Sequence, residues 1–135
     1  MPAIMADHDT EGQVQILLHL LTSAEWHALW HELAIRVESF TSLGIPADIS
    51  DAELWRVCQT RQIVLITGNR NQVGPTSLEA VIHASNTPWS LPVLTIGEPQ
   101  RLLRSRAYAQ RAVERLLEYL IDIENLRGTG RLYLP

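Results

Sequence analysis

The sequence contains one cysteine and no lysine among its 135 residues. Because Cys58 has no partner within the chain, an internal disulfide and a cysteine-rich zinc module are both excluded. Apolar runs are interrupted by Arg, Glu or Pro well before the roughly 18 residues that a membrane span requires. The opening segment, MPAIMADHDT, lacks the basic and then apolar stretches of a secretory signal. We therefore expect a cytoplasmic protein with no membrane association.

The charge of the chain is mildly acidic and unevenly distributed. The net charge of −4 argues against a strong, general nucleic-acid binder, because such proteins normally carry a basic face. All 11 basic residues are arginine, and most of them follow residue 67. Genome composition explains this preference at least as well as a need for bidentate phosphate contacts does.

Strands and helices alternate along the sequence, which predicts one α/β domain over residues 1–135, with a mostly parallel sheet and right-handed crossovers. Apolar and β-branched runs predict strands at 3–6, 35–40, 63–67 and 92–97. Helical spacing of apolar residues and serine caps predict helices at 13–22, 23–33, 50–59, 78–84 and a long one at about 99–123. The tail, 124–135, is predicted as a turn followed by a short extended piece.

Polar side chains follow two of the predicted strands and open one of the predicted helices. In parallel sheets, functional groups collect beyond the carboxyl ends of the strands, so we expect these side chains to share one edge. Their oxygen atoms would suit a hard cation such as Mg²⁺ or Mn²⁺, which can activate water against a phosphodiester. The candidates are Asp7, Asp9, Asp51, Glu53, Asn69 and Asn71.

Most of these residues also have a purely structural interpretation. Asp9 lies in the loop Asp7-His8-Asp9-Thr10, where it could cap the following helix. Glu53 is three residues after Ser50, the spacing of a capping box, and this interpretation is favoured over metal binding. Asn69 and Asn71 are good turn formers.

Asp7 and Asp51 are the two candidates for which a functional role is as probable as a structural one. A carboxylate at the mouth of a buried strand is costly to desolvate unless something pairs with it, which applies to Asp7. Asp51 lies in the first turn of a predicted helix, where the helix dipole alone favours an acid.

Other reactive or aromatic residues are interpreted as packing groups. His27 and His31 have the i, i+4 spacing of a metal pair but lack the intervening acid of an HExxH site, so surface or packing roles are favoured. Cys58 is expected to be buried rather than nucleophilic. Helical spacing and apolar neighbours place three tryptophans in the core: Trp26, Trp30 and Trp55.

Three short patterns together resemble the PIN-like domain superfamily. They are an acid after the first strand, the helix start S-D-x-E-L-W, and the segment I-V-L-I-T-G-N-R-N. The sequence is most similar to a small branch whose central strand ends in a T-R-D-x-D-type motif, here Thr67-Gly68-Asn69-Arg70-Asn71. The motifs cover residues 3 to about 71, and the order of strands and helices extends the resemblance over most of the chain.

The resemblance implies a three-layer α/β/α sandwich and a Mg²⁺- or Mn²⁺-dependent ribonuclease, whose active relatives are often toxins paired with an antitoxin. It implies RNA as substrate, an antitoxin-like protein as partner, and Arg70 and Asn71 as substrate-binding residues. The residues that match the catalytic positions are Asp7, Asp51 and Asn69. The metal ligands would be Asp7 and Asp51, with Asp9 or Glu53 as further candidates.

Two positions depart from the pattern of the family. Asn69 and Asn71 stand where relatives carry Asp, so each position offers a neutral amide oxygen in place of an anionic carboxylate. We therefore expect weak metal binding and attenuated cleavage.

The alternative is an inactive PIN-like binding or assembly module. It would use the Trp26/Trp30 pair, Trp89 and the tail 132–134 as contacts. A homodimer is expected with either function. Arginines 101, 104, 106, 111 and 115 could contact RNA, although ion pairs with Glu114 and Glu118 are favoured.

Overall fold

A sheet of five parallel strands forms the centre of the molecule in the computed structural model, which describes residues 2–68 and 77–135. The strands are β1 (Ala3–Ala6), β2 (Val37–Glu38), β3 (Ile63–Gly68), β4 (Val93–Ile96) and β5 (Arg131–Leu134). Their order in the sheet is β2-β1-β3-β4-β5, and every neighbouring pair is parallel. The α/β fold with a parallel sheet is thus confirmed.

Seven α-helices lie within the same described ranges and flank the sheet. Two short 3₁₀ turns, His8–Thr10 and Ile123–Leu126, complete the regular structure. The helices are α1 (Glu11–Leu21), α2 (His27–Leu33), α3 (Phe40–Leu43), α4 (Asp51–Arg61), α5 (Leu78–Ser85), α6 (Pro99–Arg104) and α7 (Arg106–Ile121).

Apolar residues of the sheet alternate between two cores, one on each face. In β3, Val64 and Ile66 point into a core shared with α1, α6 and α7, which we call the first face. Ile63 and Leu65 point into a second core shared with α3, α4 and α5. Because β3 is covered on both sides, every one of its residues is buried, which explains its continuous apolar sequence.

One connection differs in hand from the other three that join the described strands. Helices α1 and α2 carry the chain from β1 to β2, and α6 and α7 carry it from β4 to β5, yet both pairs pack on the first face. The two connections run in opposite directions along the sheet, so they have opposite hands. The connections through α4 and α5 use the second face and share the hand of the β1–β2 connection. Since nearly all such crossovers are right-handed, the β4–β5 connection is the exception to the predicted rule.

The structure shortens the second predicted strand. Only Val37–Glu38 pairs with β1, and Phe40 already begins α3. The cause is local: Ser39 and Ser42 form a capping box, in which each side chain accepts a hydrogen bond from the main-chain N–H of the other. These bonds stabilise a helical turn at the place where alternation predicted an extended chain.

The C-terminal helix is interrupted where the sequence predicted one helix over 99–123. Ser105 has extended backbone angles (φ −123°, ψ 112°) and separates α6 from α7. Its hydroxyl oxygen accepts a hydrogen bond from Tyr108 N at 3.1 Å, so it caps the second helix. The extended piece predicted in the tail is confirmed as β5, which pairs with β4.

Candidate functional site

The strand order reverses between β1 and β3. The chain leaves β1 towards β2 on one side and returns to β3 on the other side. In doubly wound sheets, such a switch point opens a crevice at the carboxyl ends of the two strands, and ligands bind there. Asp7 follows β1, and Thr67 and Gly68 end β3, so these residues lie where such a crevice is expected in this chain.

The carboxylate of Asp7 is buried and held from two sides. Its residue is 5% exposed. Oδ2 accepts a hydrogen bond from the Thr67 hydroxyl at 3.1 Å, and Oδ1 accepts one from His8 N at 2.6 Å. The main-chain N–H of Asp7 donates to Ile66 O at 2.8 Å and continues the pairing of β1 with β3. The orientation of this carboxylate is therefore fixed by β3 and by the turn that follows β1.

The 3₁₀ turn after Asp7 is anchored against β3 by Thr10. The Thr10 hydroxyl lies 3.2 Å from Asp7 O and 3.0 Å from Ile66 O, and the residue is 1% exposed. A Cβ atom added to Gly68 would lie 3.1 Å from the Thr10 methyl carbon and equally close to Pro99 Cγ. A glycine at this position therefore permits the close packing of the turn, the end of β3 and the start of α6.

The other three predicted ligands that the structure describes differ in their burial. Asp51 is the first residue of α4 and is half-buried, whereas Asp9 and Glu53 are exposed. Because α4 packs on β3 and leads directly into it, the N-terminus of this helix lies toward the carboxyl end of the sheet. The predicted serine cap is confirmed, since Ser50 Oγ accepts a hydrogen bond from Glu53 N at 3.2 Å.

The remaining predicted site residues, Asn69, Arg70 and Asn71, lie outside the described residues. Over 2–68 and 77–135, no three His, Cys, Asp or Glu side chains are grouped so that they could hold a metal ion. A site with three protein ligands around Asp7 would therefore need other ligand types or residues outside those ranges. Asn69 and Asn71 remain the predicted contributors.

Cys58 lies in the core of the second face and is confirmed as a buried residue. It is 1% exposed, and its Sγ atom is 4.0 Å from the sulfur of Met5. Burial, and secondarily the negative charge of Asp7, raise the pKa of the Cys58 thiol to about 12. The thiol stays protonated at neutral pH, so Cys58 is not equipped to act as a nucleophile.

Two residues near Asp7 were not singled out from the sequence. The sequence places Thr67 at the end of the central strand and at the start of the family-like motif, but its role as a donor to Asp7 follows only from the pairing of β3 with β1. His8 is exposed beside Asp7, and its Nδ1 atom lies 3.3 Å from a carboxylate oxygen of Glu11. The sequence feature that could have identified His8 is its position between Asp7 and Asp9, immediately after a buried strand.

Two of the C-terminal arginines, Arg101 and Arg115, form local ion pairs. Arg115 pairs with Glu118 at 3.1 Å, which confirms the ion-pair interpretation for this residue. Arg101 pairs with Glu98 at 3.1 Å and stacks over the Tyr108 ring at 4.9 Å.

The aromatic residues divide into packing and exposed groups. Trp55 is buried, as predicted, whereas Trp26 and Trp30 are only partly buried and pack against the core of the first face. Trp89 is 77% exposed. The tail is part of the sheet rather than a free contact segment, and its Leu134 is buried.

No match was found for this chain when it was compared with protein-family models, with curated proteins and with solved structures. Among the described residues, no helix has both the length and the apolar character needed to cross a membrane.

Proposed function

We propose that the protein is a PIN-like, metal-dependent ribonuclease whose site is the crevice between β1 and β3. The observation that carries this proposal is the buried carboxylate of Asp7. It is fixed at the switch point of the sheet by the Thr67 hydroxyl and by His8 N. A carboxylate that is already desolvated and oriented is suited to hold a cation, since little ordering is lost when the cation binds.

The residues of the crevice divide into ligands and substrate contacts in this proposal. Asp7 fits as an anchored carboxylate ligand, and Asp51 and Asn69 would complete the set for Mg²⁺ or Mn²⁺. When bound, the cation supplies an activated water and neutralises the charge that develops on the phosphate. Arg70 and Asn71 would bind the phosphodiester and orient it.

The proposed ligand set leads us to expect weak activity. With Asn at positions 69 and 71, two expected negative charges are missing from the site. Mg²⁺ gives up its water ligands reluctantly and needs strong anionic ligands to replace them. Restoring the acid at position 69 should therefore strengthen both metal binding and cleavage.

The proposal is tested by Mn²⁺ calorimetry and by an RNA cleavage assay. Wild-type protein should bind Mn²⁺, Asp7→Ala should lose the binding, and Glu25→Gln, which removes an exposed acid elsewhere, should retain it. Asn69→Asp should cleave a single-stranded RNA faster than wild type does. The proposal is wrong if wild type shows no heat with Mn²⁺ and Asn69→Asp leaves the RNA intact.

The second candidate, a binding module without catalysis, is favoured by the loop that presents Trp89. This loop is held by Thr87 N donating to Ser90 Oγ at 3.0 Å and by Arg127 donating to Trp89 O at 2.8 Å. A tryptophan exposed on an ordered loop has the character of a binding hot spot, since little entropy is lost when a partner covers it.

The homodimer expected with this candidate can be tested at Trp89. If the chain self-associates through this loop, Trp89→Ala should shift the sedimentation coefficient to that of a monomer. Exposed Ile121 provides a control at another surface, where Ile121→Ala should leave association unchanged.

A further inference from the structure

We propose that His27 and His31 form a chelating site for a late first-row divalent metal ion such as Cu²⁺ or Zn²⁺. The two imidazole rings are stacked, with their centres 6.3 Å apart and their planes 17° apart. Both rings line one cavity of about 260 Å³, together with Thr22, Trp30, Ala34 and Ile35. Nothing in the proposed nuclease site uses these histidines.

The chemistry of the pair suits this class of metal. Residues four apart on a helix are surface neighbours, and neutral imidazole is a preferred ligand of Cu²⁺, Ni²⁺ and Zn²⁺. Metal–nitrogen bonds of about 2.0–2.1 Å require the centres of two rings on one ion to lie within roughly 6 Å. The observed separation of 6.3 Å lies just beyond this distance, so chelation requires the two exposed side chains to rotate toward each other.

The backbone on which the pair stands is fixed at both ends. His27 N donates to Ser23 O at 2.8 Å, at the start of α2. At the other end, Ala34 has a left-handed backbone (φ 51°), and its N–H donates to His31 O at 3.2 Å. The side chains therefore need only rotamer changes to chelate, which reduces the entropic cost of binding.

The proposed chelate is well separated from the crevice around Asp7. The cavity lies between Thr22, just after α1, and Ile35, just before β2. Both segments are at the amino ends of the parallel strands, whereas Asp7 follows the carboxyl end of β1. The two sites should thus bind independently and prefer different ions, a hard cation at Asp7 and a softer one at the histidines.

The site is tested on the full chain without a histidine tag. Wild type should bind Zn²⁺ in calorimetry, and Cu²⁺ should quench tryptophan fluorescence because Trp30 lines the same cavity. His27→Gln and His31→Gln should each weaken Zn²⁺ binding roughly tenfold or more, since even indirect supports of metal ligands contribute that much. His83→Gln is the matched control, because His83 is an exposed histidine on α5.

Two results would contradict the proposed metal site at His27 and His31. One is equal Zn²⁺ affinity in wild type and in the double variant His27→Gln/His31→Gln. The other is an equal loss of affinity in His83→Gln, which would indicate nonspecific histidine binding. Circular dichroism and urea midpoints verify that the variants fold, and both histidines are exposed, so their replacement should leave stability unchanged. This test is separate from that of the proposed nuclease, because it follows Zn²⁺ affinity at the histidines and requires neither Mn²⁺ binding nor RNA cleavage.

Discussion

The side chains of Asp7 and Thr67 are joined by a hydrogen bond of 3.1 Å across the ends of two strands that are 60 positions apart in the sequence. Both residues are buried, at 5% and 1% exposure. A bond between a hydroxyl and a carboxylate away from water is stronger than its counterpart at the surface. The same contact therefore contributes to the stability of the sheet and to the orientation of the proposed ligand.

Removing the Thr67 hydroxyl should destabilise the protein. Thr67→Val keeps the shape of the side chain but leaves Asp7 with one fewer donor, so the free energy of unfolding should fall by about 1.5–3 kcal/mol. Urea denaturation measures this change. Thr60→Val, at an exposed position on α4, should change it by less than about 0.5 kcal/mol.

A double-mutant cycle isolates the contact between the two side chains. With Asp7→Asn as the second variant, the effects of the single changes should not add, and a coupling of about 0.5–3 kcal/mol should remain. Additive effects would show that the two side chains act independently.

Cys58 should make the protein less stable at alkaline pH. The thiol has a pKa of about 12 in the folded protein, because of burial and then the charge of Asp7, and 9.0 is the ordinary value. Below the ordinary pKa the thiol is protonated in both states, and above it only the unfolded chain loses the proton. Stability should therefore fall as pH rises above the ordinary value, by about 1.4 kcal/mol per pH unit.

The Cys58→Ala variant provides the control for this effect. Urea midpoints measured at about pH 8 and about pH 10 should differ more in wild type than in the variant. Tyrosine ionisation affects both proteins alike and cancels in the comparison. An equal pH dependence in the two proteins would contradict the assignment to Cys58.

Two glycines should respond oppositely to replacement by alanine. Gly12 lies in α1, and a Cβ atom there has no neighbour within 4 Å, so Gly12→Ala should raise stability by about 0.5–1 kcal/mol. Gly128 has a φ of +89°, and a Cβ atom there would lie 3.2 Å from Pro88 Cα, so Gly128→Ala should lower stability by more than about 1 kcal/mol. Thermal melts measure the stability of both variants. A higher stability of Gly128→Ala would contradict the left-handed backbone conformation of Gly128.

The break between α6 and α7 should depend on the Ser105 cap. Ser105→Ala removes the oxygen that accepts from Tyr108 N, so stability should fall by about 1 kcal/mol. Ser105→Asp retains an acceptor and should recover most of the loss. If Ser105→Ala is as stable as wild type, the cap does not determine the break.

Local patterns predicted the elements that local interactions determine. The apolar run of β3 and the Ser50 cap of α4 are examples, because each depends on residues within a few positions. Two features were not predicted: the break at Ser105, and the start of α3 at Phe40, where the sequence predicted a strand. In both places a serine hydroxyl that accepts a hydrogen bond from a nearby main-chain N–H outweighs the apolar periodicity. The hand of the β4–β5 connection could not be predicted, because it depends on the packing of α7 against distant α1.

The candidate site was predictable only in part. Asp7 was identified because an acid at the end of a buried strand needs a partner, but its partner Thr67 could be assigned only when β1 and β3 were known to be neighbours. Thr10 was expected in a capping segment, yet its hydroxyl bonds main-chain carbonyls of Asp7 and Ile66 instead. Such bonds depend on the register of the two strands, which the sequence does not specify.

The position of β1 inside the sheet has a consequence for the order of events during translation. Ala3 pairs with Ile63, and the other neighbour of β1 is supplied by Val37 and Glu38. During translation, β1 must therefore remain unpaired on the side of β3 until some 60 further residues have been made. Pairing over such sequence distances is slow, and the apolar faces of the nascent β1 and α1 stay accessible to chaperones in the meantime.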